Sequence, residues 1–199
     1  MESIRADTSF VIEKREGHTV IMTAAHLCYP YEKEPPQSPI EGIGKIDTAF
    51  DMSIVIGESM LPVTNILALD IENDICVFSV PINIGREMPI AKRNPIYGDK
   101  VWSIGAPAGY FPESAKPITH GIFSGEAKRK LPDGTNLVFF NFSMPTIGGM
   151  SGSPIINNKG ELVGIVSAVN SDWHMVSFSP TLDQIKESIS IAIAKLEEL

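Results

Sequence analysis

Short runs rich in β-branched and aromatic residues recur through this chain, each bounded by Gly, Pro, Asn or Asp. Their spacing of roughly 8–12 residues points to an all-β body, either barrels or a sandwich. TSFVIEK and HTVIMTAA flank REG and read as a hairpin; SIVIGES, NILALD and DICVFSV read as further strands. The Pro- and Gly-rich stretch at 81–99 reads as a connection, and YPYEKEPPQSPIEG at 29–42 as an exposed loop. More strand-like runs follow in KVWSIGAP, PITHGIFSGEAKR, TNLVFFNFSM, SPIINNKGELVGIVSAV and WHMVSFS, with a turn at NNKG, 157–160. The pattern then changes. In TLDQIKESISIAIAKLEEL the residues Leu182, Ile185, Ile189, Ile193 and Leu196 recur every three or four positions. That period predicts one amphipathic helix packed on the β body, with Thr181 as its N-cap.

The composition excludes several classes. Of 199 residues, 24 are acidic and 16 basic, for a net charge of −8. This argues against the basic face of a nucleic-acid binder. The one basic run, KRK at 128–130, reads as a solvated loop. No stretch reaches the roughly 18 apolar residues of a membrane span. No His, Cys or carboxylate spacing resembles a zinc or calcium site, so neither a metal nor another cofactor is implied. Two cysteines, Cys28 and Cys76, are few for a secreted scaffold, and MESIRADTSF lacks the form of a signal peptide. A cytoplasmic setting is expected. Cys28 and Cys76 lie two residues after His26 and Asp74 respectively, so a disulfide stays open, with two reduced, buried thiols the favoured reading.

The stretch TIGGMSGSP, 146–154, surrounds Ser151 with glycines. A serine hydroxyl attacks only beside a base, and its reaction needs donors aimed at the oxygen that becomes negative. Gly149 and Ser151 can present backbone N–H groups to one point. A structural Ser-Gly turn explains the stretch equally well by itself. Four histidines are available: His18, His26, His120 and His174. His26 ends an apolar run in TAAHLC, and Asp74 opens one in NDICVF, where a buried carboxylate needs a hydrogen-bond donor such as an imidazole. His120 suits a structural role. The order His26, Asp74, Ser151 is not that of an α/β-hydrolase, which runs serine, acid, histidine and wants Gly where Ser153 stands.

TAAH, DIENDICVF and GGMSGSP, in that order, resemble the histidine, acid and nucleophile motifs of chymotrypsin-fold serine proteases. The likeness is strongest to the bacterial Deg-type and glutamyl-endopeptidase-type branch, and it runs over nearly the whole chain. It implies two six-stranded antiparallel β-barrels and a C-terminal helix. The expected units are 1–85 with His26 and Asp74, 86–180 with Ser151, and a helix over 181–199. Asp74 is then the triad acid and Asp70 a bystander. The implied activity is peptide-bond hydrolysis through an acyl-enzyme, without a cofactor, on a protein or peptide substrate. Gly149 and Ser151 would form the oxyanion hole. Thr146, Ile147, Ser167, Ala168 and Val169, with Ser177, would line the substrate site. None of these is charged, and glutamyl-specific relatives carry a histidine where Val166 stands, so a small or medium apolar side chain is expected there. Ser167–Val169 would pair with substrate as an added strand.

Met150 stands where the zymogen branch has an Asp that pairs with a freshly cut N-terminus, so trimming is not expected to activate this chain. Two alternatives stay open. One is a self-processing or effector protease domain working with other domains of a longer chain. The other is a protease-fold binding module without turnover.

Overall fold

The first hairpin forms where the residues demand it. Strands β1 (Phe10–Arg15) and β2 (His18–Thr23) pair antiparallel across Glu16 and Gly17, and Gly17 supplies the positive φ of the turn. In the computed structural model, residues 7–28, 52–56, 59–105, 116–130, 134–169 and 175–199 are described. The loop expected at 29–42, His174 and most of GAPAGY lie outside them.

A single 3-10 turn, Ala25–Leu27, follows β2 and carries His26. Next come β3 (Ser53–Ile56) and β4 (Ser59–Pro62), which pair only with each other. Strands β5 (Asn65–Asp70) and β6 (Ile75–Val80) complete a four-stranded sheet of order β1-β2-β6-β5. Every residue of β6 is buried, because the strand has a core on each face. Ile75 and Val77 point to one cluster with Phe10, Val20, Met22 and Leu67. Cys76, Phe78 and Val80 point to another with Ile21, Ala25 and Ile54. That two-sided burial is why DICVFSV is a continuous apolar run rather than an alternating one.

The connection 81–99 holds no strand, but it is tied down. Met88 N–H donates to the Val11 carbonyl, Ala91 N–H donates to the Leu162 carbonyl, and Leu162 N–H donates to the Pro89 carbonyl, with Ile90 bridged to Leu162. Beyond it lie β7 (Lys100–Ile104), β8 (Ile118–Lys130), β9 (Asn136–Ser143), β10 (Pro154–Asn157), β11 (Leu162–Ile165), β12 (Ala168–Val169) and β13 (Val176–Pro180). They form one sheet of order β11-β10-β7-β8-β9-β13-β12. Its core is aromatic: Phe123 meets Phe140 and Phe142 edge-on at centroid distances of 5.1 and 5.4 Å. Strand β8 reaches its length by accepting a bulge between Phe123 and Gly125. The run 128–130 is solvent-exposed as expected, but it ends β8 instead of forming a loop, and the Arg129 guanidinium lies 5.3 Å from the Phe139 ring centroid.

The all-β class with a terminal helix therefore holds, while closed six-stranded barrels do not form among the described residues. The first six strands split into a four-stranded sheet and a separate hairpin. The second sheet remains open but curls back on itself. Its outermost strands, β11 and β12, are consecutive in the chain and separated only by Val166 and Ser167.

Helix α1 (Leu182–Glu197) begins at Thr181, whose hydroxyl accepts from the Gln184 N–H while the Gln184 side chain accepts from the Thr181 N–H, a complete capping box. Leu182, Ile185 and Ala192 are buried. Ile185 and Ala192, with Ile189, Ile193 and Leu196, pack against the core of the first sheet, which also takes in Leu162 and Ile165 of β11. The helix and β11 thus join both sheets through one apolar cluster.

Candidate active site

The turn that presents Asp74 is built from its own sequence. Asp70 ends β5, and its carboxylate accepts from Asn73 twice: from the backbone N–H at 3.0 Å and from the side-chain amide at 2.7 Å. That closes the 71–74 turn between the paired residues Asp70 and Ile75. Asp74 then sits at φ 57°, the left-handed region that Asp tolerates better than most residues. Asp70, set aside as a bystander from the motif, is the residue that shapes this turn.

The Asp74 carboxylate faces His26. It accepts from the His26 backbone N–H at 2.9 Å, and Nδ1 of the ring lies 3.0 Å from Oδ1 and 2.9 Å from Oδ2. An ionised carboxylate only accepts, so Nδ1 carries the proton and Nε2 keeps its lone pair. Ser167 adds a third donor, its hydroxyl giving a 2.6 Å bond to Oδ2. A partly buried carboxylate with donors on both oxygens is stable without full solvation. Ser167 was expected to line the substrate site. Its hydroxyl instead buttresses the acid, a role that no spacing in the sequence signals, because it depends on the link between β11 and β12 passing beside the 71–74 turn.

Cys28 and Cys76 form a disulfide with Cα atoms 6.4 Å apart. The expectation of two reduced thiols is therefore corrected. The turn after β2 carries Cys28 back over β6, where Thr23 pairs with Cys76, and equal offsets from His26 and Asp74 become spatial adjacency. The bridge joins the histidine turn directly to the strand of the acid.

The loop around Ser151 is held by several backbone bonds. Met150 N–H donates to Ile147 at 3.1 Å, Gly152 N–H to Val166 at 2.7 Å, and Ser153 N–H to Met150 at 2.9 Å. Gly149 turns at φ 87°. Met150 is 0% exposed and packs in the second core, against Gly105. Gly152 shows why glycine follows Ser151: a Cβ there would lie 2.2 Å from both Thr23 Oγ1 and the Thr8 carbonyl, and 3.1 Å from the Ala24 nitrogen. This close approach sets the loop after Ser151 against the end of β2, three residues before His26. On the other side, Val166 N–H donates to Ser153, next to the Ser167 that bonds Asp74.

The residues expected around the substrate divide. Thr146 is 1% exposed, and its hydroxyl lies 3.1 Å from that of Ser177, so these two hydroxyls satisfy each other inside the protein. Ile147 is 43% exposed and Ala168 is exposed. Ala168 pairs with Phe178 and Val169 with Ser177 in β12, the outermost strand at that end of its sheet. His120 is exposed on β8, opposite Trp102. His18 lies at the start of β2. Among the described residues there is no group of three or more His, Cys, Asp or Glu arranged to hold a metal ion, and no helix is long and apolar enough to cross a membrane.

The structure thus holds an imidazole bonded to a carboxylate at the end of the first sheet and a glycine-bounded serine in a loop packed against that sheet. The trypsin-like peptidase domain family matches residues 7–165, and the chain belongs to that family. Its sequence relatives include proteins named as DegP-like serine endoproteases. A protein of Pseudomonas savastanoi pv. phaseolicola named "Probable periplasmic serine endoprotease DegP-like" is 29% identical over 128 residues, covering 62% of this chain and 25% of that relative. The chain thus spans about a quarter of the length of the curated relatives it matches. The active form of the Rv3671c protease of M. tuberculosis superposes with a TM-score of 0.71 at 17% identity, over 94% of this chain and 73% of that one. The serine endoprotease of Yersinia pestis gives 0.68 at 19%, over 96% and 59%. These two likenesses are of fold. The cytoplasmic setting expected from the sequence is overturned, since the DegP-like relatives are named as periplasmic and the cysteines pair.

Proposed function

We propose that His26, Asp74 and Ser151 act as a catalytic triad in which Ser151 attacks the carbonyl of a peptide bond. His26 Nε2 takes the hydroxyl proton and later gives it to the leaving amine. Asp74 holds the tautomer and stabilises the imidazolium. The N–H groups of Gly149 and Ser151 receive the oxyanion, where loss of one such donor typically costs about 2.7–4 kcal/mol. The observation that carries the reading is the Asp74 carboxylate bonded to both the ring and the backbone of His26, with Ser167 behind it.

The substrate is a polypeptide, and it adds to the outer strand β12 at Ala168 and Val169. The residue before the scissile bond is uncharged and small or medium in size. Thr146 and Ser177 support this, because their hydroxyls are engaged with each other and no charge stands among the residues expected there. Residues 1–85 and 86–180 act as the two units whose seam holds the triad, with 181–199 as a brace. The domain works in an oxidising compartment outside the cytoplasm, as the periplasmic naming of the relatives and the Cys28–Cys76 bridge support. The greater length of those relatives supports partner domains in the same polypeptide.

A fluorophosphonate probe tests the reading. It labels Ser151 in the folded wild-type protein, and Ser151→Ala and His26→Ala abolish labelling. An intact wild-type protein that is never labelled turns the reading toward a binding module.

A further inference from the structure

We propose that Thr8, in the segment before β1, is a positioning residue that locks the nucleophile loop in its reactive shape. The inference rests on the triad reading above. Thr8 is 7% exposed and touches the loop twice. Its backbone N–H donates to the Ser151 carbonyl at 3.1 Å, and its hydroxyl donates to the Gly149 carbonyl at 3.1 Å. Thr8 is itself anchored, since its carbonyl accepts the Thr23 hydroxyl at 2.8 Å.

Two peptide planes are thereby fixed at both ends. The plane joining residues 149 and 150 has its oxygen held by the Thr8 hydroxyl and its N–H held by Ile147. The plane joining 151 and 152 has its oxygen held by the Thr8 N–H and its N–H held by Val166. Between them lies the 150–151 plane, whose N–H belongs to Ser151. With both neighbours fixed and the Met150 oxygen of this plane accepting the Ser153 N–H at 2.9 Å, the direction of the Ser151 N–H is set.

The lock is needed because of the residues that form the loop. Gly149 sits at φ 87°, where a residue without Cβ passes to other conformations at little cost. Met150 is buried in apolar surroundings, and its side chain has no donor with which to hold the turn. The 149–150 plane links the two planes that carry the Gly149 and Ser151 N–H groups. Rotation about Gly149 that freed it would change how those two donors are set relative to each other, and donors fixed in advance are what stabilise an oxyanion. Thr8 reaches across from the first sheet and opposes that rotation.

The test compares Thr8→Val, which keeps the shape and the backbone N–H but lacks the hydroxyl, with Thr8→Ser, which keeps the hydroxyl. The readout is the rate of fluorophosphonate labelling of Ser151 per folded molecule, resolved into probe affinity and maximal rate. Thr8→Val is expected to lower the maximal rate about tenfold with affinity unchanged, the scale of one hydrogen bond. Thr8→Ser is expected to stay within about twofold of wild type. Wild-type rates in Thr8→Val, or equal losses in Thr8→Val and Thr8→Ser, overturn the proposal. Where Thr8→Val does not fold, Thr8→Ala carries the same comparison. If neither hydroxyl-free variant folds, Thr8 is a folding determinant and the proposal is also overturned. Wild-type protein that takes no label at all defeats the triad reading instead, so the two failures are distinguishable.

Discussion

The carboxylate of Asp74 holds His26 from two directions, accepting its backbone N–H at 2.9 Å and standing 2.9–3.0 Å from ring Nδ1. The backbone bond sets where the 3-10 turn begins relative to the acid, and the ring bond sets the tautomer. Replacing Asp74 by Asn substitutes an amide donor for half of the acceptor. The ring then presents a bare Nδ1 to the amide and places its proton on Nε2, where the serine needs a base. Turnover of a peptide substrate is expected to fall about 10⁴-fold, as the same exchange does in the trypsin-type triad, with the fold retained by circular dichroism. A loss of less than tenfold would remove Asp74 from the machinery.

Ser167 contributes one short bond, 2.6 Å, to Oδ2 of that carboxylate. Hydrogen bonds to charged groups are worth about 1.5–3 kcal/mol. Ser167→Ala leaves the oxygen with the ring as its donor and relaxes the ring's seat. We expect kcat to drop at least about tenfold, with KM nearly constant, in steady-state kinetics. A change confined to KM would instead return Ser167 to the substrate site.

The Cys28–Cys76 bridge closes a loop over a sequence separation of 48. The chain-entropy relation assigns such a loop about 4 kcal/mol of stabilisation through the unfolded state. The double variant Cys28→Ala, Cys76→Ala is expected to unfold at correspondingly lower urea concentration. Its activity should fall further than stability alone explains, because the bridge joins the turn of His26 to the strand of Asp74. Unchanged urea midpoints with and without reductant would contradict this.

Two glycines four residues apart make opposite predictions. A Cβ at Gly152 meets Thr23 Oγ1 and the Thr8 carbonyl at 2.2 Å, and the residue sits at φ 79°. A Cβ at Gly148 meets nothing within 4 Å. Gly152→Ala is expected to abolish Ser151 labelling and to lower stability by several kcal/mol, since neither the strain nor the backbone contact has room to relax. Gly148→Ala should fold normally and keep most of its labelling. Thermal unfolding together with probe labelling decides both.

What the residues alone determined was local and periodic. The β1–β2 hairpin follows from two apolar runs around a Gly turn, and α1 follows from its three-to-four spacing and the Thr181 cap, because such elements are stabilised by neighbours a few positions away. The order of the motifs around His26, Asp74 and Ser151 was likewise legible, each marked by small or acidic residues at fixed offsets. The tertiary structure alone decided the pairing of Cys28 with Cys76, the engagement of Ser167 by Asp74, and the grip of Thr8 on Gly149 and Ser151. It also decided that the second sheet stays open with β11 and β12 as its ends. The three side-chain pairings join segments 48 to 141 residues apart. Hydrogen-bond donors and thiols carry no mark of their partner in the linear order. Partnership is set by how two sheets and a helix pack around shared apolar clusters, and that packing brings remote polar atoms to within 3 Å of one another.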